Sequence, residues 1–361
     1  MYRTNSGFSH EQQDKVGVLL VNLGTPDKPE KSALKRYLKE FLSDPRVVEA
    51  PRALWWFVLN GVILNFRPAR SAKAYQTVWT EQGSPLLIHT QNQAEKLQLN
   101  LTQQYGDNIV VDFAMRYGSP SIGNKLEKML SSGVRKLVVL PMYPQYSATT
   151  TASTFDAVAR DFATRRWLPD FRFVSHYHDN VLYIKALADK VRSHWQQNGQ
   201  AQKLLMTYHG IPKRYLTKGD PYYCECHKTS RLLAEELGLN KEQYLTCFQS
   251  RFGREEWLKP YTDHTLKQLA QDGIKSVDMV CPGFSADCLE TIEEIGEENR
   301  EYFIEAGGET YNYIEALNSD EQHIQMLASL VADNITGWQL TPQDLDQRAA
   351  EYNNKKDLFD C

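Results

Sequence analysis

The chain has 361 residues, 41 of them Lys or Arg and 45 Asp or Glu, for a formal net charge of -4; no basic cluster is interleaved with aromatics, so nothing offers a nucleic acid an electrostatic footprint. Single cores stop growing near roughly 250 to 300 residues, so this length favours two domains. The polar opening MYRTNSGFSHEQQDK does not read as a signal peptide, and six cysteines without framework spacing read as reduced thiols, so a cytoplasmic, reducing setting is expected.

The first predicted element is the run VGVLLV at 16–21, a buried strand feeding the tight loop Asn22-Leu23-Gly24-Thr25-Pro26. Residues 32–42 read as a helix, with Pro45 beyond it. Residues 51–66, PRALWWFVLNGVILNF, are nearly unbroken in apolar character over 54–64. They are interrupted by Asn60-Gly61 and collared by Arg52, Arg67, Arg70 and Lys73. A bilayer span needs roughly 20 apolar residues, so this stretch is too short to cross. Two readings stay open: a core helix, or an exposed apolar lip that rests in a membrane interface or closes over an apolar ligand.

Further on, 90–105 reads as a helix, 109–113 as a strand running into Arg116-Tyr117-Gly118, 122–131 as a helix and 137–140 as a strand. The second half repeats these parts. Residues 204–206 with Thr207-Tyr208-His209-Gly210-Ile211-Pro212 echo 19–26, setting Gly210 against Gly24, Pro212 against Pro26 and His209 against Leu23. Residues 244–249, followed by Arg251-Phe252-Gly253, echo the strand before Arg116. Gly273-Ile274-Lys275 before 277–280 echoes Gly133-Val134-Arg135 before 137–140. Three matched stations in one order predict two similar Rossmann-like α/β domains, each a parallel sheet flanked by helices, with a ligand cleft between them. The first is expected to take 15–147, with the lip at 51–67, and to regain a C-terminal helix within 318–337, whose Ile324, Leu327, Leu330 and Val331 form an inward stripe. The second takes 148–317, and 1–14 and 338–361 are polar tails.

Residues 276–298, SVDMVCPGFSADCLETIEEIGEE, read as a buried strand, a loop and a helix opening near Asp287. Asp287, Glu290, Glu294 and Glu298 recur at steps of three and four, which sets them along one helix face. A solvated acidic face and a ridge for a cation or for protons both fit. His209 ends a strand, on a rigid loop. Its counterpart Leu23 indicates that the fold does not need a polar group there. Imidazole exchanges a proton near neutral pH and, with a carboxylate, makes a mixed N/O site for a transition metal. A satisfied core histidine is the alternative. HExxH, paired CxxC and GxGxxG motifs are all missing, so neither a fixed zinc site nor a dinucleotide is indicated.

The blocks YHGIPKRYLTKGDPY (208–222), FQSRFGREEWLKP (248–260) and CPGFSADCLETIEEI (281–295) resemble the signature blocks of the ferrochelatase family. LLVNLGTP, MRYGSP, PQYSATTTAS and the WWFVLNGVIL lip are similar to it too. The resemblance implies a chelatase fold and a lyase that inserts ferrous iron into protoporphyrin IX, releasing two protons, as the last step of haem biosynthesis. It implies that His209 is the proton acceptor over the ring and Glu290 its partner, both facing the Fe2+ substrate. Asp287 stands beside them, and Glu294 and Glu298 continue the ridge outward as weaker metal or proton ligands. It also implies that Phe284, Tyr146, Tyr117, Trp257 and Leu23 line the porphyrin pocket. Arg116 is a candidate partner for a propionate, since guanidinium pairs with carboxylate bidentately.

The sequence departs from many relatives at one point. Those carry a two-iron two-sulfur cluster on one cysteine after the PQYS block and three near the C-terminus. Here Ala148 takes the first place and the tail has Cys361 alone, so such a cluster is not expected, with Cys224, Cys226, Cys247, Cys281 and Cys288 the remaining thiols. Cys288 also stands where relatives often have a second histidine. No organic cofactor is expected. The partners implied are protoporphyrin, ferrous iron and a membrane surface met through the 51–67 lip, for a monomer or homodimer attached peripherally to the inner membrane. A chelatase for coproporphyrin or sirohydrochlorin, a porphyrin or haem carrier, and a nucleotide-sugar transferase are the rival readings.

Overall fold

The computed structural model describes residues 2–3, 14–338 and 350–351; most of both expected tails lies outside the described residues. Two four-stranded parallel sheets organise the chain. The first contains β1 (Lys15–Thr25), β2 (Ile109–Gly118), β3 (Val134–Pro141) and β4 (Asp170–Phe173) in the order β2-β1-β3-β4. The second contains β5 (Lys203–His209), β6 (Tyr244–Gln249), β7 (Ser276–Val280) and β8 (Thr310–Ile314) in the order β6-β5-β7-β8. Strand for strand the two orders coincide, so the internal repeat seen in the sequence is a repeat of topology.

The helices are α1 (Lys31–Ser43), α2 (Arg52–Val58), α3 (Leu64–Val78), α4 (Pro85–Tyr105), α5 (Ile122–Ser131) and α6 (Ser153–Phe162), then α7 (Val181–Asn198), α8 (Lys213–Thr217), α9 (Tyr222–Leu237), α10 (Thr262–Gln271), α11 (Asn299–Glu305) and α12 (Glu321–Asn334). Successive strand residues point to opposite faces, and here both faces are covered. Val18 and Leu20 of β1 join a central core, while Leu19 and Val21 pack outward with Leu126 and Met129 of α5. In β5, Leu204 and Met206 face the same central core and Leu205 faces Leu266 of α10. Double coverage is why these strands read as unbroken apolar runs rather than alternating ones. The central core is supplied by α4, α7, α9 and α12 between the sheets, with Leu97, Leu187, Leu233 and Leu327 all buried. The stripe Ile324, Leu327, Leu330 and Val331 is indeed inward, and α12 packs on α4 and α7.

Two expectations change, and one open alternative is decided. β4 pairs with β3, from Lys136 opposite Asp170 to Val139 opposite Phe173, so residues 170–173 belong to the first sheet although the second domain was expected from 148. The missed strand is short and half-exposed, and its crossover helix α6 lies between it and the run that marked β3. Residues 290–298 form a π-helix, continued by α11, where an α-helix from Asp287 was expected. The 51–66 stretch is not a core helix: α2, a π-helical turn at Leu59–Ile63 and α3 present Trp56, Phe57 and Phe66 at 60%, 67% and 75% exposure. Its inner side is fixed by buried Leu59 and Leu64 and by the Trp55 indole, which donates to the Leu42 carbonyl at 2.6 Å. No helix of the described residues is long and apolar enough to cross a membrane.

At the carboxyl end of β1, Gly24 has φ +111°, and a Cβ there would lie 1.8 Å from the Tyr117 carbonyl oxygen. Gly61, on the lip, would meet nothing within 4 Å. Gly24→Ala is therefore expected to cost at least about 3 kcal/mol of unfolding free energy, whereas Gly61→Ala stays within about 1 kcal/mol. Denaturant unfolding of the two variants measures this, and an unshifted midpoint for Gly24→Ala would contradict the strand register.

Candidate active site

His209 is the last residue of β5, where the sheet hands the chain to Gly210. Its Nδ1 lies 2.6 Å from the Gly210 carbonyl oxygen. A carbonyl only accepts, so Nδ1 carries a proton, and in the neutral ring Nε2 is the nitrogen with the lone pair. The ring faces Trp257, with centroids 6.3 Å apart. Gly210 fits because a Cβ would sit 2.9 Å from the Gln249 carbonyl oxygen and 3.2 Å from the Trp257 ring.

Glu290 opens the π-helix on the adjoining strand's loop. One buried side chain, Gln249, connects the two stations. Its residue pairs with His209 across the β5/β6 ladder, and its carbonyl accepts from the Gly210 N–H at 2.8 Å. Its side-chain amide donates to the Glu290 carbonyl at 2.8 Å and accepts from Thr207 Oγ1 at 3.1 Å. Across from Glu290 stands the wall of α1 and α3. Burial raises the Tyr75 phenol, and the Glu290 charge raises it further. Burial likewise raises Tyr37, with Tyr75 and Glu290 adding to it. Burial lowers the Arg67 guanidinium, and Glu290 opposes that. Arg67 also reaches over the ring of Phe252, 4.7 Å from its centroid, so the lip touches the loop that follows β6.

Glu294 stands one step further along the π-helix. Burial pushes its carboxyl up, two hydrogen bonds from Ser250 pull it down, and the Glu290 charge raises it, for a result of about 7. Those bonds come from the Ser250 N–H at 2.7 Å and Oγ at 2.5 Å. Ser250 directs both donors at one carboxylate from a left-handed backbone, φ +63°. Glu298 follows and accepts from the Tyr302 hydroxyl at 2.6 Å. Glu290, Glu294 and Glu298 recur at steps of four along this segment, which keeps them on one side of it.

The remaining predicted residues separate into two groups. Leu23 and Phe284 pack together with Leu86, Ala286 and Cys288, against the loop that leads to Glu290. Trp257 lies beside His209, and half-buried Tyr146 donates its backbone N–H to Glu225 at 2.6 Å. Asp287, expected beside the reacting pair, is buried and accepts from Thr291 Oγ1 at 2.9 Å, Tyr313 Oη at 2.5 Å, the Ala316 N–H at 3.3 Å and Asn318 Nδ2 at 2.7 Å. With four donors it anchors the loop. Arg116, expected to meet a propionate, is committed elsewhere: Nη2 pairs with Asp44 and Nε donates to Ser153 Oγ at 2.7 Å. Burial pushes the Asp44 carboxyl up, but hydrogen bonds from Ser153, the Arg46 N–H and Tyr117, together with the Arg116 charge, hold it below the usual range. Tyr117 is fully buried in the same network, its hydroxyl 2.9 Å from Asp44, and is core rather than pocket wall. Sequence reading missed Gln249, Ser250, Tyr37, Tyr75 and Asp44; Gln249 and Ser250 stand inside the FQSRFG block, where the only signal was their place after a strand.

Among the described residues no cysteines form a group of three or more metal-ligating side chains. Cys226, Cys247, Cys281 and Cys288 are buried free thiols and Cys224 is exposed. Burial raises the first four, Cys247 to about 11, which keeps them protonated and poor ligands.

A model of the ferrochelatase family matches residues 15–335. The chain is 62% identical over 361 residues to the ferrochelatase of Idiomarina loihiensis, covering 99% of each. It is 64% identical over 338 residues to that of Pseudoalteromonas atlantica, covering 94% of each. Among solved structures it is similar to SirB from Bacillus subtilis with Fe3+, at a TM-score of 0.50 and 11% identity, covering 88% of this chain and 95% of that one. At that identity the likeness is one of fold.

The raised Glu294 carboxyl has a thermodynamic signature. From its ordinary value of 4.5 up to about 7, the folded chain holds a proton that the unfolded chain has released, so stability falls as pH rises through that window, by roughly 1.4 kcal/mol per unit. Glu294→Gln is expected to flatten this slope. Unfolding curves between those two pH values check it, and an unaltered slope would contradict the placement of the carboxyl.

Proposed function

The chain belongs to the ferrochelatase family, and from that premise we propose how its own residues carry out the family's reaction, insertion of ferrous iron into protoporphyrin IX with release of two protons in haem biosynthesis. The observation that carries the reading is the match over nearly the whole chain, together with a histidine and a carboxylate at neighbouring strand ends. The enzyme is a lyase.

Metallation needs a base over the ring centre, a way to draw water off the iron, and an exit for two protons. His209 is the base: its Nδ1–H is fixed on the Gly210 carbonyl at 2.6 Å, which leaves Nε2 to accept a pyrrole proton. Glu290 faces the same substrate iron as an oxygen ligand, so the pair offers a mixed N/O set with open positions suited to transient rather than permanent binding. Protons then leave by way of Glu294 and Glu298. A carboxyl near pH 7 is well suited to relay them, because it takes up and gives away a proton at little cost under neutral conditions. Trp257, Phe284, Leu23 and Tyr146 supply the apolar and phenolic walls. Asp287 and Arg116 act as positioning residues, the first for the loop before Glu290 and the second for the floor through Asp44.

The 51–67 lip brings this apolar substrate in. Trp56, Phe57 and Phe66 project from the mouth beside exposed Arg52, Arg70 and Lys73, a combination that settles peripherally on an anionic leaflet at the cytoplasmic face.

Two outcomes test this. Anaerobic incubation with ferrous iron and protoporphyrin should give the haem spectrum, and His209→Ala should lower its rate by about a hundredfold or more while porphyrin fluorescence still reports binding; retained turnover would reject His209 as the base. Replacing Trp56, Phe57 and Phe66 together by Ser should weaken co-sedimentation with anionic vesicles by about a thousandfold or more, since each buried apolar side chain contributes roughly 1.5 to 3 kcal/mol. Unchanged sedimentation would remove the lip from the membrane.

A further inference from the structure

A second group of potential metal ligands, using neither His209 nor Glu290, draws on both halves of the chain. After β4 the chain runs through His176 and His178. Glu225, in the first turn of α9, comes from the other half. One donor atom from each of the three lies within 4.8 Å of the other two. His176 Nδ1 is 2.9 Å from Glu225 Oε1, and His178 Nδ1 is 3.2 Å from Oε2. The imidazole rings stand edge to face, 5.0 Å between centroids.

The three donors are close enough to share one ion. In a tetrahedral site with bonds of about 2.05 Å, neighbouring donor atoms are roughly 3.3 Å apart, and the two imidazoles approach the two oxygens of one carboxylate at 2.9 Å and 3.2 Å. His178 adds an independent observation. The residue is 5% exposed, and its Nδ1 lies 3.2 Å from Oε2 without the alignment of a good hydrogen bond. A buried ring nitrogen so poorly satisfied costs free energy, and the atom lies beside the other two donors. Oε2 is itself steadied by the Tyr146 N–H at 2.6 Å, so the carboxylate has an outer-shell support of the kind that orients metal ligands. Only His176 reaches solvent, its side chain 48% exposed, which gives an ion an entry.

We propose that His176, His178 and Glu225 form a second divalent-metal site, separate from the reaction centre and open at one or more coordination positions. Two imidazoles and one carboxylate select borderline transition metals, Fe2+, Co2+ or Zn2+, over Mg2+ and Ca2+. Because the donors come from both halves of the molecule, a bound ion clips the loop after β4 to α9.

The proposal does not rest on the role given to His209, and one titration separates them. The untagged chain, titrated anaerobically with Co2+ and read by its visible d–d bands, should take up two equivalents. His176→Ala should take up one. Glu225→Gln should bind the second equivalent at least about tenfold more weakly, and His209→Ala should still bind at the histidine pair. His176 is half-exposed, so its loss leaves the fold intact, which far-UV circular dichroism verifies. Unchanged uptake and spectrum in both His176→Ala and Glu225→Gln would show a hydrogen-bonded group only and overturn the site. Full uptake by His209→Ala would count against the reaction centre instead, and leave this site standing.

Discussion

The Gln249 side chain bonds to Thr207 on β5 and to the backbone at the start of the π-helix, and the relative placement of His209 and Glu290 depends on those two bonds. A strand end alone places a residue to within the play of a loop. Here His209 is tied through the ladder and Glu290 through an amide that has little room to turn, since Gln249 is almost wholly buried. A buried amide left without partners would cost on the order of 1 to 3 kcal/mol for each group. The two stations therefore move together or not at all. The roles proposed for His209 and Glu290 ask for this kind of pre-positioning, because a base and a carboxylate that share one substrate ion have to address it together.

Much of the fold was legible because of how the sheets are buried. Covered on both faces, β1, β3 and β5 appear as plain apolar runs, and the Gly-Pro loops that follow mark their ends. The duplication made the reading firmer, since each station could be checked against its copy. β4 escaped because Asp170–Phe173 is only four residues long and partly exposed, so its character is hard to tell from a loop. The π-helix escaped for another reason. Carboxylates at steps of four fit a slightly slower turn as well as an α-helix, and what selects the slower one is packing against neighbours distant in sequence.

The candidate site was proposed on residue type, and its side-chain pairings were not legible. His209 stood out because its copy is leucine, and Glu290 because it follows a strand end. Arg116 was misread because a guanidinium in a strand looks available until its partner is known, and Asp44 lies 72 positions away. Asp287 was misread in the same way: its four donors come from Thr291, Tyr313, Ala316 and Asn318, three of them contributed by the β8 end of the chain. The lip could have been core or surface on pattern alone. Exposure of its outer rings follows from α1 and α3 already filling the space beneath them.

The central core has a consequence for how the molecule comes apart. Its apolar side chains pass without interruption from Val18 and Leu20 through α4, α12 and α7 to Met206 and Tyr208. An ancestral copy with one sheet would have needed a different cover for that face. In the present chain neither half can shed its partner without baring a broad oily surface, so the two halves are expected to melt as a single cooperative unit and neither is expected to stand as a module on its own.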